Sequence, residues 1–139
     1  LPVAADFGPQ TVAEAQVAWS TTEREQHQRA VLGSINCMRR GQHLPALTLD
    51  PELSQTAEAA WLRLARERDF SLAQLDGRYA LRGVLPLDLS SPNTGTAGCQ
   101  AGSLDADALA GLGSATRVGI AVFPPQASWD LASAVILAQ

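Results

Sequence analysis

The sequence predicts an α+β domain in which helices flank a small antiparallel sheet. Two amphipathic helical stretches, each with a clear start signal, occupy the first half of the 139-residue chain. The chain ends in two apolar segments, residues 117–123 and 129–138, separated by a turn that contains Pro-Pro. Helices followed by paired strands, without a regular alternation of the two, are typical of α+β folds.

The composition is that of one ordinary globular domain. Hydrophobic residues make up 46% of the chain and charged residues 17%, which is enough apolar surface for a core at this length. The formal net charge is −4, and the scattered arginines form no basic stripe, so nucleic acid is not an expected partner. No apolar run reaches the roughly 18 residues of a membrane-spanning helix. We divide the chain into a lead-in with a short helix, residues 1–22, and a single domain, residues 23–139.

Two helices are predicted in the first 41 residues. A short amphipathic helix runs from Thr11 to about Trp19, and we expect it to pack on its own domain rather than on a partner. A longer helix is predicted to begin at a capping box of Thr22 and Glu25 and to end with Gly41 in the left-handed conformation. Its predicted apolar stripe comprises Val31, Leu32, Ile35 and Met38.

The next helix has the clearest start signal in the chain. Asp50 is predicted as its N-cap, and Pro51 occupies the first helical position, where its missing N–H costs nothing. Glu52 complements the positive end of the helix dipole. The apolar residues that follow recur at helical spacing and form a core-facing stripe: Leu53, Ala57, Ala60, Trp61 and Leu64.

The second half of the chain is predicted to contain the sheet. Residues 78–84 alternate loosely and predict a strand, and residues 88–103 form a turn-rich loop. The apolar segments at 117–123 and 129–138 are expected to pair as an antiparallel hairpin.

A short helix is predicted between the loop and the hairpin, over residues 104–112. Ser103 is its expected N-cap, and Asp105 and Asp107 lie in its first turn. These two carboxylates are of the type that ligates hard cations. Their position at a helix N-terminus explains them without a cation.

Four motifs, in this order and over this length, resemble the CAP superfamily, which comprises the cysteine-rich secretory, antigen 5 and pathogenesis-related-1 proteins (SCP-like domains). The resemblance covers residues 25–70 and 104–139. The motifs are Asn36-Cys37-Met38-Arg39, the loop Gly41-Gln42-His43-Leu44-Pro45-Ala46-Leu47, the helix start Asp50-Pro51-Glu52-Leu53, and the strand Val118-Gly119-Ile120-Ala121.

The resemblance implies an α-β-α sandwich and an exported protein, extracellular or periplasmic. It also implies structural roles for the motif residues, with the Asn a hydrogen-bonding residue of the interior: Asn36, Arg39, Pro45, Asp50 and Gly119. An exported protein favours a disulfide between Cys37 and Cys99. The residues by themselves leave open two buried thiols in a cytosolic protein.

Many CAP domains hold a divalent metal in a cleft through two histidines and acidic residues. In this chain Leu72 stands where the first histidine is expected, and the helix start that usually supplies the second offers Asp105 and Asp107. The chain's two histidines, His27 and His43, lack the spacing of a zinc site. The candidate cleft residues are therefore Leu72, Asp105 and Asp107, and we expect no metal or other cofactor.

The expected function is that of a binding or structural module with a degenerate cleft. By the resemblance, its ligand is a lipid or other apolar small molecule, or a protein of the cell envelope. The alternative is a peptidase-like hydrolase that uses acidic residues, and a third possibility is an unrelated α+β domain. Convergence of Asp105 or Asp107 with Asn36 or His43 on one concavity would favour the hydrolase; without it we expect no catalytic residue.

Overall fold

The computed structural model describes residues 9–67, 81–86, 115–126 and 132–139. In this part of the chain the helices are α1 (Val12–Gln16), α2 (Thr21–Gly41) and α3 (Pro51–Glu67). The strands are β1 (Thr48–Leu49), β2 (Leu81–Pro86), β3 (Arg117–Phe123) and β4 (Ser133–Ala138). None of these helices is long and apolar enough to cross a membrane. The predicted loop at 88–103 and helix at 104–112 lie outside the described residues.

The described strands form one sheet in the order β1-β3-β4-β2. β3 and β4 form the predicted antiparallel hairpin, in a register from Val118 opposite Ala138 to Phe123 opposite Ser133. β2 is antiparallel to β4 over Leu81–Pro86, and residues 78–80 of the predicted strand lie outside the described residues. The prediction of a wholly antiparallel sheet is wrong, because β1 pairs in parallel with β3. A two-residue strand is too short to show an alternating pattern, so the sequence gives no signal for it.

Helices cover both faces of this sheet, which confirms the predicted α+β class with helices flanking a sheet. Alternate residues of β3 point to opposite faces. Val118, Ile120 and Val122 join one core cluster with Val31 and Ile35 of α2. The other cluster packs α1 and α3 against the opposite face: Ala15, Leu53, Ala57, Trp61, Leu64, Ala65, Ala121, Phe123, Val135 and Leu137.

The core-facing stripe of α3 is as predicted. Trp61 is fully buried and stacks on Phe123 with ring centroids 3.8 Å apart. Its indole Nε1 donates a hydrogen bond of 2.7 Å to Ser133 Oγ, so the polar end of the ring is satisfied inside the core. Trp61 therefore acts as a packing residue that joins α3 to both strands of the hairpin.

Both predicted ends of α2 are displaced. The capping box is formed by Ser20 and Glu23, each side chain accepting a 3.1 Å hydrogen bond from the backbone N–H of the other. The prediction of Thr22 and Glu25 is therefore wrong. The sequence repeats the same Ser/Thr-x-x-Glu spacing two residues apart, and the earlier start adds the helical bond from Arg24 N to Ser20 O, at 3.0 Å.

At its other end α2 includes Gly41, and His43 takes the left-handed conformation with φ of 60°. The backbone N–H groups of His43 and Leu44 donate to the carbonyls of Arg40 and Arg39, at 3.0 and 2.9 Å. These two bonds form a Schellman motif. The predicted left-handed Gly41 is wrong because helical bonding continues past it. His is among the few non-glycine residues that tolerate this conformation.

Glycine is required at position 119 by a close approach between a helix and a strand. A Cβ atom there would lie 2.5 Å from the backbone nitrogen of Ser54 and closer still to the backbone carbonyl group of Leu53. The first turn of α3 therefore sits directly against the backbone of β3. This contact places Ser54 at the edge of that strand.

The N-terminal helix is shorter than predicted, since α1 ends at Gln16. Thr11 caps it, accepting a 3.1 Å hydrogen bond from Glu14 N. Ala15 is 1% exposed, and its carbonyl accepts a 2.9 Å bond from Gln126 Nε2. The helix thus packs on its own domain, as predicted.

Candidate functional site

Two motif residues of α2 hold the loop that follows this helix. Asn36 pairs with the backbone of Leu47 in both directions, donating from Nδ2 to the carbonyl at 3.1 Å and accepting at Oδ1 from the amide at 2.7 Å. Arg39 is fully buried, and its Nε donates to the Pro45 carbonyl at 2.7 Å. Burial lowers the pKa of the Arg39 guanidinium. We call these contacts the loop clamp.

Asp50 connects the start of α3 to β3. Its Oδ1 accepts from the backbone amides of Glu52 and Leu53, at 2.8 and 3.4 Å, as an N-cap does. Its Oδ2 lies 3.0 Å from Nη1 of Arg117 on β3. Asp50 therefore has a structural position in the fold, next to the close contact at Gly119.

The predicted cleft and disulfide lie partly outside the described residues. Leu72, Asp105, Asp107 and Cys99 are among the residues that the structure does not describe. Cys37 lies on α2 and is not a free cysteine. The Cys37–Cys99 pairing and the candidate cleft therefore stay predictions.

His27 lies in the second turn of α2, and His43 lies just after the end of this helix. His43 is exposed on the turn after the helix. His27 stacks on Trp19, with ring centroids 4.3 Å apart and an interplanar angle of 28°. Burial lowers the pKa of His27, and the negative charge of Glu23 partly opposes this shift. Within the described ranges no three His, Cys, Asp or Glu residues are grouped to hold a metal ion.

A polar cleft that the sequence analysis missed lies between α2 and α3, at the edge of β3. β1 pairs with β3 only at Arg117 and Val118, so the backbone of β3 continues beyond its partner strand. Side chains take over the pairing there. Ser54 Oγ accepts from the Ile120 amide at 3.1 Å, and Gln28 Nε2 donates to the Ile120 carbonyl at 2.8 Å. The edge of β3 is thereby covered by side chains, which protects it from pairing with other strands.

Gln16 continues this pairing and links two charged residues. Its Nε2 donates to the Val122 carbonyl at 3.2 Å and to Glu58 Oε2 at 2.9 Å. Its Oε1 accepts from Arg24 Nη1 at 2.7 Å. Gln16 is 6% exposed, so this carboxamide is almost completely enclosed. Arg24 and Glu58 therefore lie on opposite sides of a buried amide.

The cleft beside Gln16 has a volume of about 170 Å³. This space is large enough to hold water molecules. Arg24 also donates from Nη2 to Thr21 Oγ1 at 3.1 Å, while its Nε is buried without a hydrogen-bond partner. The described residues that line the cleft are Gln16, Thr21, Arg24, Glu25, Gln28, Glu58, Ile120 and Val122.

A weak sequence signal for the cleft existed. Gln28 stands on the same helical stripe as Val31 and Ile35, at i, i+3 and i+7, and Ser54 precedes Ala57 and Trp61 at the same spacing. Polar residues on a core-facing stripe need hydrogen-bond partners. The sequence does not show that these partners lie on one strand.

The chemistry of the cleft is recognition by hydrogen bonds. Two carboxamides and a hydroxyl form the contacts with β3, and none of these groups changes charge at ordinary pH. Arg24 and Glu58 add one cation and one anion. Such a set can bind a polar group of fixed shape.

Comparison with family models, with curated proteins and with solved structures finds no match to this chain.

Proposed function

We propose that this protein is a CAP-like binding module of the cell exterior or envelope, without a metal, and that its ligand is a protein. The polar cleft is the observation that carries this proposal. Its walls are carboxamide, hydroxyl, guanidinium and carboxylate groups, and the Gln28 carboxamide is fixed in place by the backbone of β3. Groups that are already oriented favour binding of a polar partner, because little side-chain entropy is lost.

The polar cleft itself fits a polar group of a protein better than a lipid chain. A site for an acyl chain is lined mainly by apolar side chains, and drug-sized ligand sites usually enclose about 300–1,000 Å³. The cleft is polar and smaller, at about 170 Å³. A protein partner needs only one protruding polar group to enter it.

The exported character of the module rests on the motif resemblance, and the predicted disulfide is a consequence of export that can be tested. Peptide mapping of unreduced protein tests it: a Cys37–Cys99 linked peptide pair supports the proposal. Two alkylatable thiols in protein from its natural host would contradict export.

The binding role is tested by native mass spectrometry of the protein purified from its natural host without reductant. A protein partner that leaves on gentle activation supports the proposal. An adduct of a few hundred daltons would indicate that the ligand is a lipid or other small molecule and not a protein. A stoichiometric metal adduct would contradict the metal-free cleft.

The alternative function is a peptidase-like hydrolase that uses acidic residues. Within the described cleft, Glu58 is the carboxylate that contacts the enclosed amide. Hydrolysis of peptides by the native protein, lost in Glu58→Gln and kept in Glu67→Gln, would establish this alternative. Equal absence of turnover in all three proteins is the outcome that the binding proposal expects.

A further inference from the structure

We propose that the polar cleft is a carboxamide-binding site, which α1 fills within the chain with Gln16 and which a glutamine or asparagine side chain of the partner fills on binding. This inference rests on the proposed function as a protein-binding module. It adds the chemical group that the partner presents and the part of this chain that must leave.

The contacts of Gln16 match the hydrogen-bonding capacity of a carboxamide. Such a group has one carbonyl oxygen and an NH2 with two hydrogens. Here the oxygen accepts from Arg24 Nη1 at 2.7 Å, and the NH2 donates to Glu58 Oε2 at 2.9 Å and to the Val122 carbonyl at 3.2 Å. One donor and two acceptors, held on three different elements, thus surround the amide.

The charges around Gln16 select an amide over charged groups of similar size. The cation Arg24 faces the carbonyl oxygen, and the anion Glu58 faces the NH2 group. A carboxylate in this place would bring a second negative charge next to Glu58, and an ammonium a second positive charge next to Arg24. Like charges at such distances repel, whereas the amide dipole is aligned with both partners.

The element that carries Gln16 is suited to leave. α1 has five residues, which is far below the length at which an isolated helix is stable. It is held by the packing of Val12 and Ala15 on the core, by the bond from Gln126 to the Ala15 carbonyl, and by the contacts of Gln16. The next residue, Val17, is 83% exposed.

The cleft offers a ligand more space and more hydrogen-bonding groups than Gln16 uses. The space of about 170 Å³ next to Gln16 lets an incoming group enter beside it. The Nε of Arg24 is a buried donor without a partner. A polypeptide ligand brings a main-chain carbonyl close to its side-chain amide, and this carbonyl can accept from Arg24 once Gln16 has left the site.

The first test asks whether a small amide restores stability to a variant that lacks the Gln16 carboxamide. Gln16→Ala removes the amide from the end of α1, and we expect propionamide in excess of its Kd to raise the Tm of this variant by about 3 °C. Propionate and propylammonium should leave the Tm unchanged, and wild-type protein should respond less because Gln16 competes. Failure of propionamide to act more strongly than these two ions overturns the proposal.

Second-site variants separate the cleft from a general solvent effect. In the Gln16→Ala background, Arg24→Lys and Glu58→Gln should each remove the propionamide response. Glu67→Gln, an exposed acid at the end of the same helix, should keep it. A response that survives both cleft substitutions contradicts the proposed site.

The role in partner binding is tested on the wild-type protein with the peptide acetyl-Ala-Gln-Ala and its Leu analogue. We expect the Gln peptide alone to accelerate hydrogen exchange at the Ala15 amide, which bonds to Thr11 O within α1. If the two peptides have the same effect, the ligand is not a side chain of a partner protein. Rescue of Gln16→Ala by propionamide would then indicate that the ligand is a free small amide. Peptide hydrolysis lost in Glu58→Gln would instead overturn the proposed binding function while leaving carboxamide recognition intact.

Discussion

The loop clamp and the polar cleft use the same chemistry at very different distances along the chain. In the clamp, Asn36 pairs with the backbone of Leu47, eleven residues away. In the cleft, Gln28 and Gln16 bond to the carbonyls of Ile120 and Val122, 92 and 106 residues away. In both, a carboxamide replaces a peptide group as the partner of a backbone. The clamp orders a local loop, whereas the cleft joins elements that are distant in sequence.

The two regions also differ in how completely they are enclosed. Arg39 of the clamp is fully buried, while Arg24 of the cleft is only half-buried beside an open space. Water can replace a lost hydrogen bond in the cleft but not next to Arg39. Substitutions in the clamp should therefore cost more stability than equivalent substitutions in the cleft.

The largest effect is expected from Gly119→Ala, which acts on the contact between α3 and β3 next to the polar cleft. The added methyl group meets the backbone of Leu53 and Ser54, so α3 must move away from the strand. We expect a loss of about 3 kcal/mol in the free energy of unfolding, measured by urea denaturation. Ala121→Gly, on the same face of β3, is a control for altered strand propensity. A loss below that of the control would contradict the close contact.

Asn36→Ala removes the loop clamp and leaves the backbone amide and carbonyl of Leu47 without their side-chain partner. The expected cost is about 2 kcal/mol, because these groups are largely shielded from water. Hydrogen exchange at the Leu47 amide should accelerate strongly. A cost equal to that of a cleft substitution would remove the distinction between the two regions.

Gln28→Ala is the corresponding change in the cleft. It removes the donor to the Ile120 carbonyl, but water in the open space can take its place. We expect a cost of about 1 kcal/mol, determined by the same denaturation experiment. Gln42→Ala, at the exposed end of α2, serves as the control with the same loss of a glutamine. A cost above that of Asn36→Ala would reverse the expected order.

His43→Gly should stabilise the turn that the clamp holds. Glycine adopts the left-handed conformation found at His43 without steric cost, so we expect a gain of up to about 1 kcal/mol at the helix end. Gly41→Ala tests the same helix end at the last residue of the helix itself. A Cβ atom there has no other atom within 4 Å, and alanine has a higher helix propensity than glycine, so this variant should also gain stability. A loss of stability in His43→Gly would contradict the Schellman geometry.

The smallest expected effect is a pH dependence from His27, close to the cleft. Its pKa in the folded protein is lowered from 6.5, so the unfolded chain binds the proton more readily. The contribution of His27 to the free energy of unfolding is complete above pH 6.5. It is lost as the pH falls through the pKa that His27 has in the folded protein. As the pH falls over this range, the Tm of the wild-type protein should decrease slightly. The decrease should be smaller in His27→Phe, which keeps an aromatic ring on Trp19. An equal slope in both proteins would contradict this assignment.

Local signals in the sequence predicted much of the fold correctly. The start of α3 at Asp50-Pro51, its apolar stripe and the hairpin of β3 and β4 all depend on residues that are close in sequence or on a simple alternation. The ends of α2 were less predictable, because two capping boxes compete at its start. Its last turn is decided by bonds from His43 and Leu44 rather than by Gly41.

By itself, the sequence determined where the long helices and the hairpin form, since capping residues and apolar periodicity act within a few residues. The tertiary structure decided that two-residue β1 runs parallel to β3, and that Gln16, Gln28 and Ser54 meet on the strand edge beyond it. Each of these side chains is an ordinary polar residue within its own helix. Only the packing of α1, α2 and α3 around β3 gives them a common partner, and with it the cleft.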